Sequence, residues 1–173
     1  MTQISSDLPE TSNDFDSLPY RPCVGIALFN PQGHVFVGER IDTPQAWQMP
    51  QGGIDDGEDL IEAAFRELKE ETGITEAELL HIVPKTICYD VPRELSVKHW
   101  GGRFRGQEQH WVALKFLGDD RLIDLKHHEP HEFSQWQWVD LSHTVDLIVP
   151  FKREVYREVI AALSHLVPMI AKR

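Results

Sequence analysis

Hydrophobic and polar residues follow two periods along this chain. Residues 23–29 form an apolar, β-rich run closed by Asn30-Pro31-Gln32-Gly33, a strong turn signal, and residues 35–37 resume the β pattern, so the two predict a hairpin. Residues 46–49 read as short and extended, with Pro50 keeping Met49 out of helix. Residues 79–89 and 109–116 read as longer strands. Residues 136–139 read as another, with Trp136 and Trp138 on one face. The period becomes helical twice. Ile61, Ala64, Phe65 and Leu68 make one apolar stripe. Val155, Tyr156, Val159, Ile160, Leu163 and Leu166 make another, in a helix that opens at Pro150 and runs to about residue 167. Strands before and after a central helix, with a second helix at the end, predict an α+β fold with a mixed β-sheet between helices.

The central helix carries chemistry as well as an apolar face. Asp59 stands at its N-cap with Glu62 three residues on, a capping-box pattern, and Gly73 falls where a left-handed C-cap belongs. Glu67, Glu70 and Glu71 share one face at i, i+3 and i+4. Like charges at this spacing cost about 0.2–0.5 kcal/mol per pair, so a positive group is expected over them. Carboxylate oxygens suit a hard divalent cation, Mg²⁺ or Mn²⁺; the alternative is a solvated acidic face. Glu58 lies just before the helix, and Arg66 can orient one of the glutamates.

Composition bounds the rest. At 173 residues, 41% apolar and 26% charged, the chain reads as one globular domain over residues 19–167. An acidic tail of 1–18, expected to be disordered, precedes it, and a short tail of 168–173 follows. No apolar run is long enough for a membrane span, and the N-terminus reads as neither a signal nor a transit peptide, so a cytoplasmic protein without a membrane partner is expected. Cys23 and Cys88 are read as buried, reduced core residues. The net charge of −11 argues against nucleic acid. Its distribution changes that argument, because residues 85–105 hold Lys85, Arg93, Lys98, Arg103 and Arg105 against Asp90 and Glu94, with Tyr89 and Trp100 among them. Bases with interleaved aromatics suit a phosphate chain with stacked nucleobases; the alternative is a solvated loop.

Gly52, Glu58, Arg66, Glu67, Leu68, Glu70, Glu71, Gly73 and Ile74 fill, without a departure, a pattern that resembles the signature of the Nudix hydrolases. The resemblance implies an α/β/α sandwich and a metal-dependent hydrolase of nucleoside diphosphates linked to another moiety. Further matches lie outside the signature. They are Tyr20-Arg21-Pro22, the 47–53 segment WQMPQGG, Gly106-Gln107 with Gln109 and Trp111, Glu132-Phe133 with Trp136 and Trp138, and Phe151-Lys152-Arg153. Together they resemble the bacterial RNA pyrophosphohydrolases, which take pyrophosphate from the 5′-triphosphate end of RNA and so promote mRNA decay. They also resemble the close relatives of those enzymes, the asymmetrical diadenosine tetraphosphate hydrolases, which yield ATP and AMP and are the alternative reading. A non-catalytic nucleotide-binding module of the same fold is the remote alternative, and one expected to have lost a glutamate.

The resemblance implies roles residue by residue. Two or more Mg²⁺ or Mn²⁺ ions are held by Glu67, Glu70 and Glu71, with the Gly52 carbonyl and Glu132 as further ligands. Glu67, Glu71 or Glu132 takes a proton from water. Arg21, Arg40, Phe151 and Lys152 meet the substrate, which is 5′-triphosphate RNA or a dinucleoside polyphosphate; Tyr89, Arg103 and Arg105 are expected to meet it as well, from the basic and aromatic make-up of residues 85–105. For Arg21 and Arg40 a surface salt bridge is the competing reading, and for Phe151 a core contact. His127, His128 and His131 are read as a solvated loop, and Trp47 and Trp136 as packing residues. Protein partners stay open.

Overall fold

The computed structural model describes residues 15–172. The expected tail of 1–18 therefore lies largely outside the described residues; its last stretch holds a 3-10 turn at Phe15–Ser17.

Eight strands form one mixed sheet. They are β1 (Tyr20–Phe29), β2 (Val35–Arg40), β3 (Trp47–Gln48), β4 (Gln51–Gly53), β5 (Ala77–Ile82), β6 (Ile87–Asp90), β7 (Gly106–Phe116) and β8 (Phe133–Val139). The spine runs β3-β2-β1-β7-β5, with β4 on β1, β6 on β7 and β8 on β2. Only β1 and β7 pair in parallel, from Tyr20↔Gly106 to Phe29↔Lys115, and the other pairs are antiparallel. A strand covered on both faces reads as a continuous apolar run, which is why residues 23–29 do not alternate.

The two faces carry separate cores. Val24, Ile26, Leu28, Val112, Leu114 and Phe116 turn toward α1 (Leu60–Thr72) and pack with Ala63, Ala64 and Leu68. Ala27, Phe29, Trp111 and Ala113 turn the other way, onto Val155, Tyr156, Val159 and Leu163 of a helix at Arg153–Leu163. Each fully buried Leu, Ile or Phe contributes about 1.5–3 kcal/mol, so these two layers hold the sandwich together. Phe36 stacks on Trp136 with centroids 5.9 Å apart and meets Trp138 edge-on, which makes Trp136 a packing residue. Trp47 packs against the opposite core. The expected α/β/α arrangement is present.

Five expectations are corrected. Residues 79–89 are two strands, β5 and β6, both on β7; Pro84 between them has no N–H to give a ladder. Residues 85–105 are not a loop throughout: α2 (Arg93–Trp100) begins after Pro92 and ends at left-handed Gly101. The last helix is broken into α4 (Arg153–Leu163), preceded by α3 (Thr144–Leu147) and a 3-10 turn at Pro150–Lys152, and α5 (Leu166–Ala171). Ile170 of α5 is buried, so residues 168–171, expected in a tail, lie in a packed helix. Cys88 is exposed, because β6 turns Ile87 inward and its neighbour outward, while Cys23 is buried as expected.

Candidate active site

The glycine turn of β4 is pressed onto the glutamate helix. A β-carbon at Gly52 would collide with the Glu67 carboxyl group, so a glycine lets that acid lie against the backbone of the turn. At the other end of α1, Gly73 adopts φ 72° and its N–H donates to the Lys69 carbonyl at 2.8 Å, closing the helix in the left-handed cap. Asp59 occupies the N-cap, but its side chain makes no capping hydrogen bond, so the capping box is a matter of position only.

Arg66 locks β4 to α1. Its guanidinium donates to both Glu58 oxygens at 2.7 and 2.9 Å, to the Gly53 carbonyl at 2.8 Å, to Glu67 Oε1 at 2.8 Å and to Glu70 Oε2 at 3.4 Å. These donors pull the Glu58 carboxyl down to about 2. Glu67 goes the other way: burial pushes it up to about 6 despite Arg66. Glu71 is raised well above the usual carboxylate range, first by complete burial and then by the charges of Glu132 and Glu67. The backbone N–H of Gln51 donates to the Glu71 carboxylate, yet Glu71 Oε2 is buried with no hydrogen-bond partner.

Above this floor opens a cavity of about 500 Å³. Gly52, Glu67, Glu71 and Glu132 line one side, and Arg21, Arg40 and Lys152 line it as well. Lys152 is 6% exposed, 5.8 Å from the Tyr89 ring and 5.9 Å from Phe151. Burial, and then Arg40, lower its pKa to about 8. Arg40 is held by Asp42 through two hydrogen bonds of 2.9 and 2.8 Å. Arg21 lies over the Trp100 ring at 5.9 Å and donates to Cys23 Sγ at 3.6 Å. Phe151 is 40% exposed, so it is not a core residue, and its ring lies 6.5 Å from Tyr89.

Three of the site residues expected from the sequence do not line this cavity. Glu70 sits on the Arg66 side of α1. Arg105 is bound to Asp90 at 2.8 and 3.0 Å and to the Asp16 carbonyl. Arg103 donates to the Trp100 carbonyl that ends α2. Both arginines fasten the segment around α2. His127 and His128 are exposed, as read from the sequence. Trp100, one of the aromatics singled out in the 85–105 stretch, lines the cavity, and Gln48, Gln51, Gln107, Leu95 and His99 line it without having been expected from the sequence. The Gly106-Gln107 and WQMPQGG matches contained three of them, but nothing local marked a glutamine as a site residue.

Among the described residues, no three acid, histidine or cysteine side chains converge into a ready-made metal cluster, and Arg66 is hydrogen-bonded to both Glu67 and Glu70. The donors nevertheless fit a hard cation. They are carboxylate oxygens beside a backbone turn, and the orphaned Glu71 oxygen is a buried acceptor that lacks a positive partner.

A glutamate helix under a glycine turn, facing cationic side chains across one cavity in an α/β/α sandwich, defines a site of the polyphosphate-hydrolase kind. Residues 19–159 match the NUDIX domain, and the chain belongs to that family. It is 56% identical over 158 residues to the RNA pyrophosphohydrolase of Novosphingobium aromaticivorans, covering 88% of this chain and 98% of that one. To the RNA pyrophosphohydrolase of Erythrobacter litoralis it is 51% identical over 160 residues, 90% of this chain and 98% of the other. The solved dihydroneopterin triphosphate pyrophosphohydrolase of E. coli shares the fold at TM-score 0.64 and 20% identity, over 83% of this chain and 98% of that chain. Membership implies dependence on a divalent cation. No described helix is long and apolar enough to cross a membrane.

Proposed function

We propose that the protein removes pyrophosphate from the 5′-triphosphate end of RNA, with Mg²⁺ or Mn²⁺, leaving a 5′-monophosphate end that commits the RNA to decay. The observation that carries the reading is the division of one cavity into an acidic floor and a cationic, aromatic wall. Such a cavity accepts a polyphosphate along its length and a nucleobase at its rim. The names of the relatives at 56% and 51% identity agree with that substrate.

Glu67 and Glu71 would hold two or more cations, with the Gly52 carbonyl and Glu132 as further ligands, and Glu70 would join them on releasing Arg66. When bound, the cations supply Lewis-acid polarisation of the phosphoryl oxygens and a water of lowered pKa. The protein's own groups do the rest. Arg21 and Lys152 offset the charge of the phosphate chain, and Arg40 exchanges Asp42 for a phosphoryl oxygen. Tyr89 and Phe151 offer ring faces to a base. Arg66 holds Glu67 in place. Glu67, Glu71 or Glu132 receives the proton from water.

One observation favours a second reading. Trp100 lines the cavity as well as the Tyr89–Phe151 pair, so aromatic faces are available for two bases. A dinucleoside tetraphosphate, split asymmetrically into ATP and AMP, would use both. Competition between 5′-triphosphate RNA and dinucleoside tetraphosphate under matched metal decides between them. The RNA reading predicts the higher kcat/KM for RNA; a preference for the dinucleotide by orders of magnitude overturns it.

A further inference from the structure

Beneath the cavity runs a buried chain of side-chain amides whose direction is set by one tryptophan. An indole N–H can only donate. Trp111 Nε1, fully buried, donates to Gln109 Oε1 at 2.9 Å. The Gln109 amide is thereby fixed, and its nitrogen donates to Gln51 Oε1 at 2.8 Å and to Gln107 Oε1 at 3.1 Å. The Tyr89 hydroxyl donates to the same Gln107 oxygen at 2.5 Å. The carbonyl oxygens of Gln51 and Gln107 are both taken up by this chain. Their NH₂ groups keep no partner among the described residues, and both residues line the cavity. Reversing the chain would require the indole to accept a hydrogen bond.

We propose that Gln51 and Gln107 donate to phosphoryl oxygens of the substrate, and that Gln109, held by Trp111, is the positioning residue that aims them. This rests on reading the cavity as a polyphosphate site. Neutral donors suit the location. Gln51 adjoins Glu71 through its own backbone N–H, and a lysine or arginine there would pair with the acids, as Arg66 does. An amide donates to phosphate without competing for the glutamates.

The test measures kcat and KM on 5′-triphosphate RNA, and equilibrium binding of inorganic tripolyphosphate and of an unphosphorylated dinucleotide. When ionised, the acid in Gln109→Glu is acceptor-only at the hub, which demands hydrogens from both glutamines and turns their oxygens to the cavity. It is expected to raise KM, and Kd for tripolyphosphate, about tenfold, equivalent to about 1.4 kcal/mol. It should leave kcat and dinucleotide binding within about twofold of wild type. Trp111→Phe removes the orienting donor, together with part of a buried ring, and decides the matter if the buried acid prevents folding; a rise of about threefold in the same two quantities is expected. Unchanged KM and tripolyphosphate affinity in each folded variant overturns the proposal, as does equal weakening of the unphosphorylated ligand. If the wild type binds tripolyphosphate with this pattern but releases no pyrophosphate from RNA, the RNA reading fails and the amide proposal stands.

Discussion

Lys152 gives the proposed site its clearest pH signature. Its amine is buried against Tyr89 and Phe151 and forms no ion pair among the described residues. With a pKa of about 8, it is charged in about nine molecules of ten at pH 7 and in about one of ten at pH 9. If that charge draws the phosphate chain in, kcat/KM, which reports the free enzyme, holds level to about pH 8 and then falls about tenfold per pH unit. The same lowering fixes a stability sign. The folded value lies below the ordinary lysine value of 10.5, so between about 8 and 10.5 the unfolded chain holds a proton that the folded chain has released. Stability therefore rises with pH across that window, and below it the cost of the buried charge is fully present, about 3 kcal/mol. Lys152→Met removes both effects. Measured by pyrophosphate release at subsaturating RNA, the variant is expected to have lower kcat/KM at pH 7 with no break near 8, and to unfold at higher urea concentration than wild type. A wild-type profile that is level through pH 9, or a break retained in Lys152→Met, would refute the reasoning.

Other outcomes follow from particular contacts. Gly52→Ala forces the Glu67 carboxyl aside, and kcat should fall about 10²-fold with the circular-dichroism spectrum retained. Arg105→Ala breaks the tie to Asp90 at the base of α2, so it should lower the thermal midpoint while KM for RNA stays within about twofold of wild type. Arg66→Lys cannot reproduce the fork that joins Glu58, Gly53 and Glu67, and should lower both the urea midpoint and kcat, the latter about 10-fold or more.

How much was legible in the sequence depended on how local each signal was. The helix from Leu60 to Thr72, its Gly73 cap and the glutamate face are written within a few turns of chain, so pattern alone reveals them. The same holds for the β1–β2 hairpin around Asn30-Pro31-Gln32-Gly33. The helix α2 is weakly amphipathic: Ser96 is its buried residue and Val97 is exposed, so no apolar stripe announces it. Arg105 looked like a free base because its partner, Asp90, is met only when β6 and β7 pair. The amide chain is the extreme case, since Gln51 and Gln109 stand 58 residues apart and meet across the sheet. Local sequence supplies the acids; long-range pairing supplies the surfaces that face them across the cavity.

The central claim is that buried glutamates of α1 hold the cation that drives phosphoryl transfer, and Glu71 is its most exacting test. Glu71→Gln keeps the shape and removes the charge. Turnover of 5′-triphosphate RNA and Mn²⁺ binding by equilibrium dialysis should be measured on the same folded protein. The account predicts a loss of at least about 10²-fold in kcat together with weaker Mn²⁺ binding. Turnover and Mn²⁺ affinity both within a few-fold of wild type would contradict it.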